Sequence, residues 1–191
     1  ADHNTGGIRR FMSQAGDEPF CLVVGLVTPH VPWSVGDPEH FDPAKLELPP
    51  NIADTEQTRQ DFAKYLAEIE VMDQQLGDVL DALEASGKAD NTLVIFTSEQ
   101  GAQFPGCKWT NWEQGIHTAF VVRWPEHITP DTQTDTLVQY ADVLPTLIEA
   151  ASGEVLSEQF DGESFLGTLT DKDPQGRQYC YAMHNNVPEG P

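Results

Sequence analysis

Four polar side chains of complementary chemistry follow two apolar runs of the 191-residue chain. They are His30, which follows one run, and Glu99, Gln100 and Lys108, which follow the other. An imidazole exchanges a proton near neutral pH, carboxylate and amide oxygens suit a hard cation such as Ca²⁺, and an ammonium attracts an anion. Together these groups could bind an anion beside a metal ion and protonate a departing atom.

Each of these residues also has a structural interpretation when it is taken alone. A histidine between two prolines is commonly a loop residue bonded to backbone, and Glu99-Gln100 before a glycine can be turn chemistry. Lys108, which stands close to Trp109 and Trp112, can lay its stem along apolar surface and keep its charge in water. The functional interpretation therefore requires a fold that brings the residues to one place.

The hydrophobic pattern predicts such a fold. Phe20–Val27 and Thr92–Thr97 are short apolar runs rich in β-branched residues, as in buried strands. Between them, apolar residues from Phe62 to Leu83 recur at steps of three and four, which predicts one long helix. Strand, crossover helix and strand form a βαβ unit, so the two strands should be parallel.

The fold class expected from this unit is α/β, with a mostly parallel sheet flanked by helices. The long helix should begin at a cap, Asp54 or Thr55, and end at Gly87. Further predicted elements are a strand over Thr118–Trp124, a helix over Ala141–Ala151 and a strand over Gln178–Met183. Because ligands of parallel α/β sheets bind beyond the carboxyl ends of the strands, the four polar side chains should share one rim.

The chain is strongly acidic, with 10 Lys and Arg residues against 31 Asp and Glu residues and a formal net charge of -21. So few cations cannot form a basic patch that neutralises many phosphates, and we expect no nucleic acid partner. No run approaches the length of apolar sequence that spans a bilayer, so no membrane span is predicted. The negative charge of the chain would repel an anionic substrate unless cations close to the binding site reverse the local electrostatic potential.

Five motifs in a defined order support a more specific interpretation. They are Pro19–Pro32, Met72–Gly77, Asp90–Gly101, Lys108–Glu113 and Arg123–Pro125. In these motifs the sequence resembles the sulfatase family, within the alkaline-phosphatase-like superfamily. The resemblance runs from about Pro19 to the end of the chain and includes a late segment, Tyr181–Gly190. Because of the segment around Phe104 and Pro105, we expect the nearest relatives of the chain in the heparan N-sulfatase-like branch.

The resemblance implies roles for the four polar residues. His30 matches the family's active-site histidine, which contacts the sulfate and assists proton transfer to the leaving group, and Lys108 matches the lysine that binds a sulfate oxygen. Glu99 and Gln100 match positions where the family commonly has Asp followed by Asn or His, the Asp being a calcium ligand. Both side chains here are one methylene longer than the usual Asp-Asn pair, but they retain the oxygens that suit Ca²⁺.

One family feature is absent from the 191 residues. Sulfatases attack with a formylglycine made from the Cys or Ser of a C/S-x-P/A-x-R motif, and no such motif occurs here. We therefore expect residues 1–191 to be a partial sulfatase catalytic domain, truncated at both ends and inactive alone. The complete enzyme would be a calcium-dependent hydrolase of sulfate esters or sulfamates on sulfated carbohydrates or related compounds. The resemblance also implies a periplasmic, extracellular or lysosome-like location.

Two alternatives remain open from the sequence. The chain could be a non-catalytic, split or degenerate sulfatase piece that works as a partner subunit, bound to the missing remainder of the catalytic domain. It could also belong to a superfamily relative that hydrolyses phosphoesters, in which a Thr or Ser nucleophile and two transition metals replace formylglycine and calcium. The presence of formylglycine in the natural protein and its metal content distinguish the three.

Overall fold

The computed structural model describes residues 5–170 and 176–183. The chain divides into two compact units. The first contains the chain up to Ala89 together with Thr97–Phe120, and the second contains Asp90–Phe96 together with the chain from Val121 onward. His30, Glu99, Gln100 and Lys108 all belong to the first unit.

The first unit is organised around the long helix that the apolar pattern predicts. This helix, α2, covers Glu56–Ala85 and spans 30 residues. Thr55 caps its first turn by accepting a 3.1 Å hydrogen bond from the backbone N–H of Thr58, which satisfies a donor that the helix itself cannot. At the other end Gly87 has a φ of +71°, a left-handed conformation that ends helices. The predicted cap and stop are both confirmed.

Four shorter helical elements accompany α2 in the first unit. A helix that the sequence analysis did not predict, α1 (Thr5–Gln14), packs on α2 and buries Met12. Two 3₁₀ turns, Pro38–His40 and Pro43–Lys45, also pack on α2. The short helix α3 covers Glu113–Ile116. The proline-rich segment before α2 therefore forms turns against the helix and no long regular element.

The predicted buried strand at Phe20–Val27 is wrong for the described residues. The segment is extended, but it pairs with no strand in residues 5–170 and 176–183. Its exposure alternates along the chain, and the side chains of Val23 and Val27 are 89% and 57% exposed. An extended run becomes a strand only when a neighbour takes up its backbone hydrogen bonds. No such neighbour lies beside it among the residues that the structure describes.

The only sheet of the described residues has two strands, β1 (Val94–Thr97) and β2 (Phe120–Arg123), and they are antiparallel. The Thr97 hydroxyl at the end of β1 donates a 2.8 Å hydrogen bond to the Ala119 carbonyl before β2. Both strands lie inside predicted strands. The expectation of a mostly parallel sheet is therefore wrong for the described residues. Strand β1 pairs with β2, the next strand along the chain, and not with Phe20–Val27.

The second unit contains the predicted helix near its middle. Helix α4 covers Val143–Ala150 after a 3₁₀ turn at Tyr140–Asp142, a second 3₁₀ turn covers Ser157–Gln159, and α5 covers Leu166–Leu169. Asp142 is 1% exposed, accepts backbone hydrogen bonds from Gln139 and Glu163, and pairs with Arg177. A buried carboxylate needs such partners. It therefore holds α4 to the chain that follows it.

The last predicted strand, Gln178–Met183, is not formed. One isolated antiparallel bridge, between Leu137 and Arg177, is the nearest pairing among the described residues. Residues 184–190 of the late segment that resembles sulfatases lie outside the described residues. No helix in the described ranges combines the length and the apolar character needed to cross a membrane.

Candidate active site

His30 and Lys108 are in direct contact, although 78 positions separate them in the sequence. Their side-chain nitrogens, His30 Nε2 and Lys108 Nζ, are 3.2 Å apart. The other ring nitrogen of His30, Nδ1, lies 2.7 Å from the carbonyl oxygen of Val31. The structure thus brings together the two residues expected to contact an anion.

These two contacts indicate which ring nitrogen of His30 donates a hydrogen bond and which one accepts. A carbonyl oxygen only accepts hydrogen bonds and an ammonium only donates them. His30 must therefore carry its proton on Nδ1, donate it to Val31, and accept from Lys108 through the lone pair of Nε2. A proton on Nε2 as well would place two cations 3.2 Å apart. In this geometry Nε2 is the ring nitrogen that faces Lys108.

The loop that carries His30 is tied to its own backbone and to α2. The His30 N–H donates to the Val27 carbonyl at 3.0 Å. The indole N–H of Trp33 donates to the Pro29 carbonyl at 3.1 Å. The hydroxyl of Thr28 donates to Gln75 Oε1 on α2 at 3.1 Å. Both prolines that flank His30 follow cis peptide bonds.

Beyond His30 the loop is held by a buried carboxylate. Glu68 on α2 is 2% exposed, and its Oε1 accepts backbone hydrogen bonds from Ser34 at 2.7 Å and Val35 at 3.3 Å. Gly36 then crosses the helix at Ala67 with a φ of +79°, where a Cβ would lie 2.4 Å from the Ala67 carbonyl oxygen. Only glycine combines that conformation with that approach. Helix α2 therefore positions the loop that presents His30.

Lys108 lies in a tight turn of the loop that follows β1. Its backbone N–H donates to the Ala102 carbonyl at 3.0 Å, and the Cys107 N–H donates to the Phe104 carbonyl at 3.1 Å. The ammonium lies 5.3 Å from the ring centroid of Trp109, within range of a cation–π contact. Turn and ring together direct the Lys108 side chain towards His30.

Glu99 and Gln100 lie directly after β1, as the sequence predicts. Glu99 is exposed and Gln100 is half-buried. Gly101 fixes the end of this turn, since its N–H donates to Gly115 at 3.1 Å and a Cβ there would lie 1.8 Å from the Gln114 carbonyl oxygen. Within residues 5–170 and 176–183, neither side chain forms a hydrogen bond or an ion pair with the His30–Lys108 pair.

The described residues contain no group of three or more His, Cys, Asp and Glu residues that could hold a metal ion. Calcium takes six to eight oxygen ligands. Glu99 and Gln100 have the appropriate oxygens but supply only two side chains. The donor set therefore fits part of a calcium site, and further ligands would have to complete it.

Two residues of α2 that hold the His30 loop in place were not predicted from the sequence. Glu68 and Gln75 were not singled out, although both are polar residues within the apolar stripe of α2 and both are buried. A polar residue on a buried helix face needs a hydrogen-bond partner, and this was the signal that could have found them. Nothing in the sequence pattern indicated that these partners would be Ser34 and Thr28.

Comparison with solved structures defines the class of fold. A putative sulfatase of Bacteroides fragilis is similar in structure, with a TM-score of 0.78 and 22% sequence identity over 91% of this chain and 41% of that chain. At this identity the likeness concerns the fold alone. The chain therefore has the fold of sulfatases, the alkaline-phosphatase-like fold expected from its motifs.

Sequence comparison identifies the family. The sulfatase family profile matches residues 4–153, and the chain belongs to the sulfatase family. An ulvan-active sulfatase of Formosa agariphila is 33% identical over 173 residues, which cover 88% of this chain and 33% of that protein. The human N-sulphoglucosamine sulphohydrolase is 28% identical over 74% of this chain and 33% of its own length. The chain thus spans about a third of the length of these two relatives.

Proposed function

We propose that the chain is part of the catalytic domain of a calcium-dependent sulfatase that hydrolyses a sulfate ester or a sulfamate on a sulfated glycan or a related compound. The observation that carries the proposal is the 3.2 Å contact between His30 Nε2 and Lys108 Nζ. Membership of the sulfatase family supports it. So do relatives whose names specify ulvan and sulphoglucosamine as substrates.

Lys108 would bind the sulfate group. In a chain with a net charge of -21, an anion needs a local cation, and the Lys108 ammonium supplies one. It would donate to a sulfuryl oxygen and offset the negative charge that develops there during the reaction. The Trp109 ring and the turn at Ala102 would hold the ammonium in position before substrate binds.

His30 would move the proton. Its Nδ1–H is engaged by the Val31 carbonyl, which fixes the ring and leaves Nε2 directed at Lys108. A sulfate oxygen that accepts from Lys108 would come between the ammonium and Nε2. His30 would then take up a proton on Nε2 beside the bound anion and pass that proton to the oxygen or nitrogen that leaves the sulfur.

Glu99 and Gln100 would contribute two oxygen ligands to Ca²⁺, the metal typical of the family. When bound, Ca²⁺ would offset the charge on the sulfuryl oxygens. The nucleophile of the family derives from a C/S-x-P/A-x-R motif that the 191 residues do not contain. The proposal therefore assigns the nucleophile to a longer polypeptide that includes these residues.

The test compares matched variants of that longer polypeptide. We expect His30→Ala and Lys108→Ala each to lower kcat/KM for a chromogenic aryl sulfate by about a hundredfold or more. Lys45→Ala is the matched control, since Lys45 is an exposed lysine of the same unit that pairs only with Asp42. Wild-type turnover in either site variant removes that residue from the mechanism.

The absence of the nucleophile motif favours a second candidate, a non-catalytic sulfatase piece that acts as a partner subunit. Mass spectrometry of the natural protein separates the two functions. A longer product that carries formylglycine supports the hydrolase. A natural product of 191 residues supports the partner subunit. Metal analysis of the same sample tests phosphoester hydrolysis, for which two zinc or manganese ions per chain would replace calcium.

A further inference from the structure

The first unit contains a cavity of about 260 Å³ that neither His30 nor Lys108 lines. Its apolar lining includes Trp33, Ile52 and Phe104, and its polar lining includes Gln57, Asp61 and Gln103. Ligand sites combine apolar and aromatic walls with a few polar groups in this way. Nothing in the proposed sulfate chemistry uses this cavity.

The aromatic wall of the cavity is held rigidly. The rings of Trp33 and Phe104 stack with their centroids 4.9 Å apart and an interplanar angle of 22°. Tyr65 on α2 packs edge-on against both rings, with centroids 5.7 Å from Trp33 and 5.6 Å from Phe104. Phe62 on α2 packs against Phe104 as well. A ligand would therefore meet a preformed aromatic surface, which lowers the entropic cost of binding.

The polar lining has unused hydrogen-bonding capacity. Gln103 Oε1 is buried and accepts no hydrogen bond from the described residues. This oxygen has almost no accessible surface, so it is not open to the cavity, and the polar group that a ligand can reach is Asp61. Asp61 accepts from Lys64 at 2.9 Å and from Gln57 at 3.0 Å. A carboxylate has about four acceptor positions, so Asp61 can accept further hydroxyls.

The lining of the cavity offers no cation to an anionic ligand. The residues that line the cavity include no Lys, Arg or His and one acid, Asp61. The hydrogen bond from Lys64, followed by that from Gln57, lowers the pKa of Asp61, so this carboxyl is ionised at neutral pH. A sulfate or a uronate would find no cation among the lining residues, whereas an uncharged ring with hydroxyls needs none. The volume suits a single ring.

Part of the cavity lining lies on the two loops that carry His30 and Lys108. Trp33 is three residues after His30, and its indole N–H donates to the Pro29 carbonyl. Phe104 is four residues before Lys108, and its carbonyl accepts from Cys107. A ligand held by Trp33 and Phe104 would therefore be bound by the loops that hold the sulfate.

We propose that this cavity binds an uncharged sugar residue of the sulfated glycan, next to the residue whose sulfate His30 and Lys108 hold. The proposal rests on the proposed function and adds the chemistry of the neighbouring subsite. The two sites divide the substrate by charge, with a cation for the sulfate and an aromatic pocket without a lining cation for a neutral ring. Specificity for glycan sequence would come from this second contact.

The test uses the longer polypeptide that contains these residues, labelled with ¹⁵N, and two kinds of probe in NMR titrations. Inorganic sulfate reports on His30 and Lys108, and a panel of neutral methyl hexosides and pentosides reports on the cavity. We expect at least one neutral glycoside to shift the indole N–H of Trp33 and the side-chain amide of Gln103. The methyl glycoside of glucuronic acid should bind at least tenfold more weakly.

A filling variant and its matched control complete the test. Ala53 lines the cavity and is exposed, so Ala53→Leu should block the cavity and weaken glycoside binding at least tenfold. Ala44→Leu, at an exposed position that does not line it, should bind as the wild type does. Unchanged sulfate-induced shifts show that Ala53→Leu is folded.

The outcomes separate the two proposals. The absence of any glycoside-induced shift overturns the neutral subsite, and so does glycoside binding that survives Ala53→Leu or tighter binding of the uronate. If sulfate binds but glycosides do not, the proposed function stands and the subsite fails. If glycosides bind but sulfate causes no shift at His30 or Lys108, the sulfate site fails and the cavity remains a sugar site.

Discussion

The Oε1 atom of Glu68 lies 2.7 Å from the backbone nitrogen of Ser34, which donates a hydrogen bond to it. Glu68 is 2% exposed and belongs to α2, whereas Ser34 follows the Pro-His-Val-Pro segment that carries His30. A charged acceptor with a backbone donor forms a stronger bond than a neutral pair. This contact therefore couples the stability of the helix to the position of the candidate catalytic imidazole.

We expect Glu68→Ala to lower the free energy of unfolding by about 2–3 kcal/mol, because the N–H groups of Ser34 and Val35 lose a charged acceptor in a buried place. Urea denaturation measures the change. Glu84→Ala is the matched control, since Glu84 is an exposed glutamate of the same helix and its removal should change stability by less than about 0.5 kcal/mol. Equal losses in both variants would contradict a specific role of Glu68.

Much of the helical structure could be predicted from the sequence because its signals are local. The apolar residues between Phe62 and Leu83 indicate α2, Thr55 caps it and Gly87 ends it within the same stretch of chain. The cores of both strands of the sheet were predicted from β-branched runs. His30 and Lys108 were expected on one rim of a parallel sheet; that sheet is not formed in the described residues, but the structure still places their nitrogens 3.2 Å apart.

Strand pairing could not be predicted in the same way, because it depends on contacts distant in sequence. Phe20–Val27 has the composition of a buried strand, but its pairing depends on a neighbour, and no described strand lies beside it. The antiparallel pairing of β1 with β2 is set by the loop that returns the chain past Ala119. The cavity beside Trp33 and Phe104 could not be predicted from the sequence either, because it depends on how two loops distant in sequence pack together.

Gly36 offers a second test of how the His30 loop is positioned. We expect Gly36→Ala to destabilise the protein by more than about 2 kcal/mol, since the left-handed backbone alone costs roughly 1–2 kcal/mol for a residue with a Cβ. The added Cβ would also lie 2.4 Å from the Ala67 carbonyl oxygen. Gly16→Ala is the control, because Gly16 has a φ of +54° and nothing within 4 Å of its Cβ position. Thermal unfolding that ranks Gly16→Ala as the more harmful change would refute this account.

The ion pair of His40 predicts a pH dependence of stability. His40 donates from Nδ1 to Glu70 at 2.9 Å and lies 3.7 Å from Asp37, and the hydrogen bond to Glu70 is the main cause that raises the pKa of His40 above 6.5. A raised pKa means that the folded state binds the proton more tightly than the unfolded state does. The stabilisation is therefore complete below about pH 6.5 and is lost as the pH rises through the folded pKa.

Denaturation midpoints between pH 5 and pH 9 measure this effect. Because His40 and both acids are exposed, the change should be small, and it should be absent from His40→Gln and reduced in Glu70→Gln. Asp81→Asn, an exposed acid elsewhere on α2, is the control and should keep the wild-type slope. A His40→Gln protein that loses stability over this range as the wild type does would show that other groups cause it.

Measuring the tautomer of His30 tests the geometry of the candidate site directly. We expect the neutral imidazole to carry its proton on Nδ1, because Val31 accepts at that atom and the Lys108 ammonium donates to Nε2 at 3.2 Å. The ¹⁵N chemical shifts of the two ring nitrogens distinguish the tautomers at a pH where the ring is neutral. Lys108→Met removes the donor and should increase the Nε2–H form, whereas Lys45→Met should leave the ratio unchanged. A wild-type ring that is mostly Nε2–H, or a ratio unaffected by Lys108→Met, would mean that the ammonium does not control the imidazole in solution.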